Sequence, residues 1–473
     1  MNESPVSIFD DVTTELAMYA ASFSSASLSS AATHAAVRCM LDAIGCALAG
    51  FAGEPSVRAR RIAATGSSEI GASVIGLPEL TTPEYATFAN SVMVRYLDMN
   101  DTYPGEGGGH ASDMMPALLA LAESRHASGL DVLRAMHVAY EVFGSLADVV
   151  PLRDYGWDPG TFLQLGATAG ICNLLGFDAY RIANALSMVI TPNMPMSVAR
   201  SGELSNWKGC ATPYAVMGAV FAARLAAEGM TGPGRPFAGN KGFFEQVGCG
   251  PFRPNAVGEP KNGAYATQRV SFKQFPCDFE IQIPAAVFTK LHAEGLRPGD
   301  ITSVDIVTYH LAWHINGGGD GDHEQKWNPQ VRETADHSIP YVIAVALTDG
   351  TVTPDSFAPE RIHDLALRPF MSKISVRPDE ELTRNWVSAP AYDITVGMND
   401  GGRRKFRIDR PHGHASDPLT DQEVEAKFIQ NARRLVDRSS AQNLCDLLWH
   451  LPELEDINTL TRLLRKVGRP QHS

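Results

Sequence analysis

The densest polar run in the chain reads Arg95-Tyr96-Leu97-Asp98-Met99-Asn100-Asp101-Thr102-Tyr103-Pro104-Gly105-Glu106-Gly107-Gly108-Gly109-His110-Ala111-Ser112-Asp113. A carboxylate and an imidazole separated by a glycine loop are suited to proton transfer, one taking a proton while the other delivers one. If the helix before Pro104 persists far enough, Asp98 and Thr102 share one face. Asp98 then lies near a helix C-terminus, where the macrodipole disfavours its charged form and suits it to accept a proton. The glycines before His110 allow close backbone approach and leave amide N–H groups for an oxyanion. The plainer alternative is an acidic turn in which Ser112 or Asp113 caps the next helix.

Two further runs have related chemistry. In Ser201-Gly202-Glu203-Leu204-Ser205-Asn206-Trp207-Lys208-Gly209, Ser205 or Asn206 is expected to cap a helix with Lys208 in its first turn. A cation is unfavourable there unless an anion sits between the lysine and the helix end. Otherwise the lysine stem simply covers Trp207. In Lys326-Trp327-Asn328-Pro329-Gln330-Val331-Arg332-Glu333-Thr334-Ala335-Asp336-His337-Ser338, Arg332 is suited to binding a carboxylate bidentately and His337 to moving protons. The alternative here is a salt-bridged connector. The preceding glycine- and aspartate-rich stretch 317–324 resembles a metal loop in composition but lacks EF-hand spacing, so it reads as a surface loop.

No Walker loop, Gly-x-Gly-x-x-Gly fingerprint, His-Glu-x-x-His or Gly-x-Ser-x-Gly elbow occurs, so neither metal nor nucleotide cofactor is expected. What remains is acid/base chemistry on an anionic molecule.

These runs need elements to hold them. Apolar periodicity predicts helices over 115–124, 130–148, 162–175, 179–189 and 208–228, the last carrying Tyr214, Met217, Phe221 and Leu225 on one stripe. Ser29 or Ser30 should cap a helix with Val37, Leu41, Ile44 and Leu48 on one face, ended by Gly50. Thr81-Thr82-Pro83-Glu84 reads as a helix start with a capping box closed by glutamate. After a Gly- and Pro-rich stretch at 232–263, β-like runs appear at 304–311, 373–377, 392–396 and 405–408, with helices at 283–294 and 341–347 among them. Helices return at 423–438 and 442–450. The expected fold is mainly α: a large all-helical domain built from both chain ends (1–268 and 410–473) around an inserted smaller α+β lid domain (269–409).

The 473 residues fit more than one core, and a formal charge of −13 argues against nucleic acid or an anionic membrane as partner. Residues 1–5 lack the basic start of a signal peptide, and no run of ~18 apolar residues is free of charge, so a soluble, cytoplasmic protein is expected. Seven scattered cysteines without a Cys-x-x-Cys pair read as reduced thiols.

Taken in order, Leu97-Asp98-x-x-Asp101-Thr102, Gly109-His110-x-Ser112-Asp113, Trp207-Lys208-Gly209, Phe272-Lys273-x-Phe275-Pro276 and the run from Lys326 to Ser338 resemble the signatures of the MmgE/PrpD family. The resemblance spans roughly residues 24–435. It implies a homodimer whose members act on small polycarboxylates without a cofactor, among them 2-methylcitrate dehydratase of propionate metabolism, cis-aconitate decarboxylase and iminodisuccinate epimerase. By motif, Asp98, Thr102, His110, Lys208 and Tyr309 fall on active-site positions, with Lys273 in the Phe-Lys-x-Phe-Pro signature. Asp158 and Asp278 stand where decarboxylase-type members resemble one another in carrying histidine.

The resemblance therefore implies a hydro-lyase dehydrating a 2-methylcitrate-like tricarboxylate. Asp98, His110, Lys208 and Tyr309 would do the chemistry; Thr102, Asp158, Lys273, Asp278, Arg332 and His337 would bind substrate. A cis-aconitate-type decarboxylase, an epimerase or isomerase of a small dicarboxylate, and a non-catalytic polycarboxylate-binding helical protein remain alternatives.

Overall fold

The computed structural model describes residues 5–468 except 70, 203 and 320. The N-terminal residues read for a signal peptide (1–4), Glu203 of the lysine run and Asp320 of the glycine loop lie outside the described residues. The chain is mainly helical, with one four-stranded sheet and one short two-stranded ribbon among the described residues.

Local signals set most helix limits. Ser29 caps Ser30–Gly50 by accepting from the Ala32 N–H at 3.2 Å, and Val37, Leu41, Ile44 and Leu48 are buried. That helix is apolar and long enough to cross a membrane by length and composition, yet 72% of its most apolar window is buried inside the protein, as a core helix would be. The helices Met115–Ser124, Gly129–Ala147, Gly160–Leu174 and Ala179–Ile190 follow the apolar periodicity. Thr82 caps Pro83–Arg95, but Glu84 closes no capping box; its carboxylate pairs instead with Arg224.

The helix that follows the lysine run differs from the sequence reading in two ways that matter. The lysine-run helix starts at Ala211, because Asn206–Gly209 tightens into a 3-10 turn capped by Ser205. Its Tyr214–Phe221 stripe also faces outward, with Tyr214 48% and Phe221 55% exposed, while Ala215, Val216, Ala219 and Val220 face the core. Small residues on the inner face let this helix pack closely on Gly160–Leu174 and Pro83–Arg95.

The buried apolar residues form two principal clusters. One runs from Val6 to Phe272 and resumes from Leu419 to Val467; the other runs from Cys277 to Val396. In the second, Ile301–Thr308 pairs parallel with Ile374–Pro378 on one side and antiparallel with Tyr392–Met398 on the other, and Arg403–Ile408 completes the sheet. Gln282–Ala293 and Ile339–Asp349 pack against each other in this unit. The first strand ends at Thr308, so Tyr309 is not a strand residue: it caps the short helix His310–Asn316.

Candidate active site

The site forms where the two clusters meet. The helix Pro83–Arg95 ends three residues before Asp98, and Asp98 adopts a left-handed backbone conformation (φ 51°). Aspartate tolerates this conformation better than most residues, and such outliers gather at functional sites. Asp98 and Thr102 therefore do not share a helix face. Thr102 instead exchanges both backbone hydrogen bonds with Ser271, at 2.8 and 2.7 Å. That pairing brings Lys273 beneath Asp98.

Asp98 is buried among cations. Its Oδ1 lies 3.0 Å from Arg95 Nη1 and 2.5 Å from Lys273 Nζ, and its Oδ2 lies 3.2 Å from Lys208 Nζ. Lys273 Nζ also donates to the Asp98 carbonyl at 2.9 Å. Burial alone would raise the Asp98 pKa, but Arg95, Lys273 and Lys208 outweigh it and hold the carboxyl well below the usual range. The reading of Asp98 as a proton acceptor opposed to a helix dipole is therefore corrected. It is a fixed anion around which cations are organised.

His110 is the contrasting case. Its Nδ1 lies 2.6 Å from the Asp101 carbonyl oxygen, which can only accept, so Nδ1 carries the ring proton and Nε2 of the neutral ring is bare. Burial, reinforced by Arg95 and Lys273, pushes its pKa well below the ordinary histidine value. Nε2 lies 3.9 Å from Asp98 Oδ1, too far for a hydrogen bond but close enough for the anion to stabilise an imidazolium once a proton arrives. Asp101 is itself anchored by Ser112 (3.0 and 2.7 Å) and by the Tyr140 hydroxyl at 2.9 Å.

Two of the three glycines directly before His110 do not offer their amides to an oxyanion. Gly107 N–H donates to the Ala147 carbonyl at 2.8 Å and Gly108 N–H to Gly105 at 2.9 Å. Glycine is required there for close packing: a Cβ on Gly107 would lie 2.4 Å from the Val150 carbonyl oxygen.

Lys208 donates to Asp336 Oδ1 at 2.6 Å and to His337 Nδ1 at 2.9 Å. The anion facing it is thus protein carboxylate, and Lys208 does not line the neighbouring cleft. His337 Nδ1 sits between the Lys208 ammonium at 2.9 Å and the Asp336 carboxylate at 2.8 Å, and its Nε2 lies 3.3 Å from Asp278 Oδ2. Arg332 donates to the Leu97 carbonyl at 3.2 Å and lies over the rings of Tyr96 and Phe357. It braces the Asp98 loop and, where the sequence reading expected a substrate-binding arginine, it lines neither lobe of the neighbouring cleft. Asp98, Asp336 and His337 hold ligand atoms within 4.8 Å of one another, a geometry open to a metal ion, but the Lys208 ammonium occupies the position a cation would take.

Beside this cluster lies a cleft with two lobes that share His110, Arg153, Asp154, Asp278, His310 and Leu311. One lobe, about 320 Å³, is lined by Arg95, Arg153, Arg200, His314 and His337. The other, about 220 Å³, is lined by Thr102, Glu280, Tyr309 and Trp386. Thr102 Oγ1 is buried there without a hydrogen-bond partner. Asp158 lines neither lobe: it is fully buried, accepting from Gly160 N–H at 2.8 Å and from Arg200 Nε at 2.5 Å. It acts on the cleft only by aiming Arg200.

Sequence reading missed Arg153, Arg200 and Glu280. Arg153 and Arg200 stand outside the runs singled out for chemistry, and only the fold turns them toward His110. Glu280 lies two residues beyond Asp278 and had a signal in that proximity, since paired carboxyls push their pKa values apart.

Comparison with known proteins adds the decisive observation. Residues 14–254 match the MmgE/PrpD N-terminal domain and residues 275–451 the MmgE/PrpD C-terminal domain. The chain belongs to the MmgE/PrpD family. It is similar to human cis-aconitate decarboxylase, 28% identical over 461 residues, covering 92% of this chain and 90% of that protein. It is 30% identical over 444 residues to an alkylcitrate dehydratase of a fungal species, covering 86% and 85%. The 2-methylcitrate dehydratase of Salmonella typhi is 28% identical over 408 residues, covering 80% and 81%. All three relatives are named as lyases, and this MmgE/PrpD chain places its bare imidazole in a cleft lined by arginines.

Proposed function

We propose that the protein is a hydro-lyase that dehydrates a citrate-like tricarboxylate by acid/base catalysis. The observation carrying this reading is the unprotonated Nε2 of His110 in a cleft that presents Arg95, Arg153 and Arg200. The arginines bind substrate carboxylates and stabilise the charge that develops when the adjacent C–H proton leaves to His110. Asp98 stabilises the imidazolium so formed, and Lys208, Lys273 and His337 hold Asp98 and Asp278 in place. Thr102 and Tyr309 orient the hydroxyl. The dehydratases among the relatives support this reaction. The test is NMR of the protein with 2-methylcitrate, citrate and cis-aconitate in deuterated water. Alkene formation is expected; loss of a carboxyl carbon, or deuterium uptake alone, would replace dehydration by decarboxylation or epimerisation.

Two predictions follow from the cleft. Arg200→Met should raise KM for a tricarboxylate about 10- to 100-fold with a smaller change in kcat, and Asp158→Asn should act in the same direction by releasing Arg200. Steady-state kinetics decide, and an unchanged KM in Arg200→Met would remove the arginine from substrate binding.

The second concerns pH. Burial and the cations beside His110 lower its pKa, so the base stays unprotonated as pH falls through about 6.5, and the acid limb of kcat/KM should lie below that value. The unfolded chain does bind this proton below about pH 6.5 while the folded protein does not. His110 therefore lowers stability progressively as pH falls below that value and has no such effect above it. An acid limb at or above 6.5 would contradict the neutral-base assignment.

A further inference from the structure

Dehydration needs a second proton transfer that His110 does not perform: the departing hydroxyl must leave as water. This inference rests on the dehydratase reading. We propose that Glu280 is the group that protonates the leaving hydroxyl.

Glu280 lies in the 3-10 turn Phe279–Ile281 and lines the same lobe as Thr102 and Tyr309, across the cleft segment shared with His110. Its backbone is fixed at both ends. The N–H donates to Asp278 Oδ1 at 3.2 Å, and the carbonyl accepts from the Tyr392 hydroxyl. Asp278 is held in its ionised form by the Asn316 Nδ2 donor at 2.9 Å and by His337, whose Nε2 lies 3.3 Å away. Two neighbouring carboxyls in a partly enclosed site do not both ionise easily, and the one without such donors keeps its proton.

The groups facing Glu280 agree. Burial and the Asp278 carboxylate raise its pKa well above the usual glutamate value, while Arg153 opposes them and loses. Tyr309 and Tyr392 face it from the sheet side of the lobe and are themselves pushed up, first by burial and then by Glu280. Tyr309, stacked on Trp386 with ring centroids 5.8 Å apart, is thereby a poor proton donor and suits an orienting role. Asp98 and Asp336 are ionised, and His110 and His337 are neutral, so none of them supplies the proton as readily.

The step balances within the protein. His110 Nε2 takes the C–H proton, and the C–H pair becomes the new carbon–carbon double bond. The C–O bond breaks with its pair on oxygen, and the Glu280 proton joins that oxygen to form water. His110 then releases its proton to solvent and Glu280 regains one, restoring the starting state.

Replacing Glu280 by glutamine, with a substrate pair that differs only in its leaving group, tests this. On the hydroxy tricarboxylate, Glu280→Gln should lose about 10²–10⁴-fold in kcat, and the alkaline limb of its kcat/KM profile should disappear. On the analogue bearing fluoride in place of the hydroxyl, which departs without needing a proton, Glu280→Gln should stay within about tenfold of the wild type. Glu280→Asp keeps a transferable proton and should recover part of the hydroxy activity. A variant that loses both substrates equally has only a structural role at this position, and one that loses neither has no role; either result overturns the assignment. A wild-type protein that eliminates neither hydroxide nor fluoride overturns the dehydratase reading itself.

Discussion

Replacing His110 by asparagine is expected to lower turnover by about 10²–10⁴-fold while leaving the fold intact. Asparagine keeps a donor near the Asp101 carbonyl, whose 2.6 Å contact with Nδ1 fixes the ring, but has no basic nitrogen to place where Nε2 sits. Because His110 is neutral in the folded protein, its removal leaves no buried charge unpaired. Thermal unfolding should therefore change little, and alkene formation followed by absorbance or NMR should fall. Full activity in His110→Asn would remove the imidazole as base and with it the proposed mechanism.

Asp98→Asn should do the opposite to stability. Arg95, Lys208 and Lys273 all lie within 3.2 Å of one carboxylate, and all four residues are buried. Neutralising that carboxylate leaves cations facing one another in a low dielectric. Removing one partner of a buried ion pair typically costs about 3–5 kcal/mol, and sharing the anion among three cations places this site at the upper end. Asp336 still holds Lys208 at 2.6 Å, so the loss falls chiefly on Arg95 and Lys273. Adding Lys273→Met to Asp98→Asn should recover part of the stability, which denaturant unfolding measures as a coupling between the two sites. Turnover should fall in both variants, since the anion 3.9 Å from His110 Nε2 is gone. An Asp98→Asn protein as stable as the wild type would show that the cations do not depend on this carboxylate.

The contrast between these variants follows from one feature of the site. The proposed acid/base group, His110, is kept uncharged, and the buried charged groups around it are kept paired. In the proposed mechanism substrate carboxylates enter through the arginine-lined lobe, where Arg200 is already aimed by Asp158, while Lys208 and Lys273 are paired with protein anions. Asp158 and Asp278 both act through a cationic or donor partner, Arg200 in one case and His337 with Asn316 in the other.

The sequence by itself determined the helical character of both chain ends, most helix limits and the five runs by which the family is recognised. Those are local properties: the cap of Ser29 on Ala32 and the apolar face of Ser30–Gly50 involve residues within a few turns of one another. It also brought Asp98, His110 and Lys208 to attention, because their residue types suit acid/base chemistry. Their roles were decided by tertiary structure. Lys273 reaches Asp98 across 175 positions and Lys208 reaches Asp336 across 128, and no local signal encodes either contact. Asp98 looked like a base from its place after a helix, yet Arg95 three residues back and two lysines drawn from distant segments hold it ionised, while a backbone carbonyl sets the tautomer that leaves His110 Nε2 bare. Protonation state depends on burial and on charges within a few ångströms, and only the folded chain sets those distances.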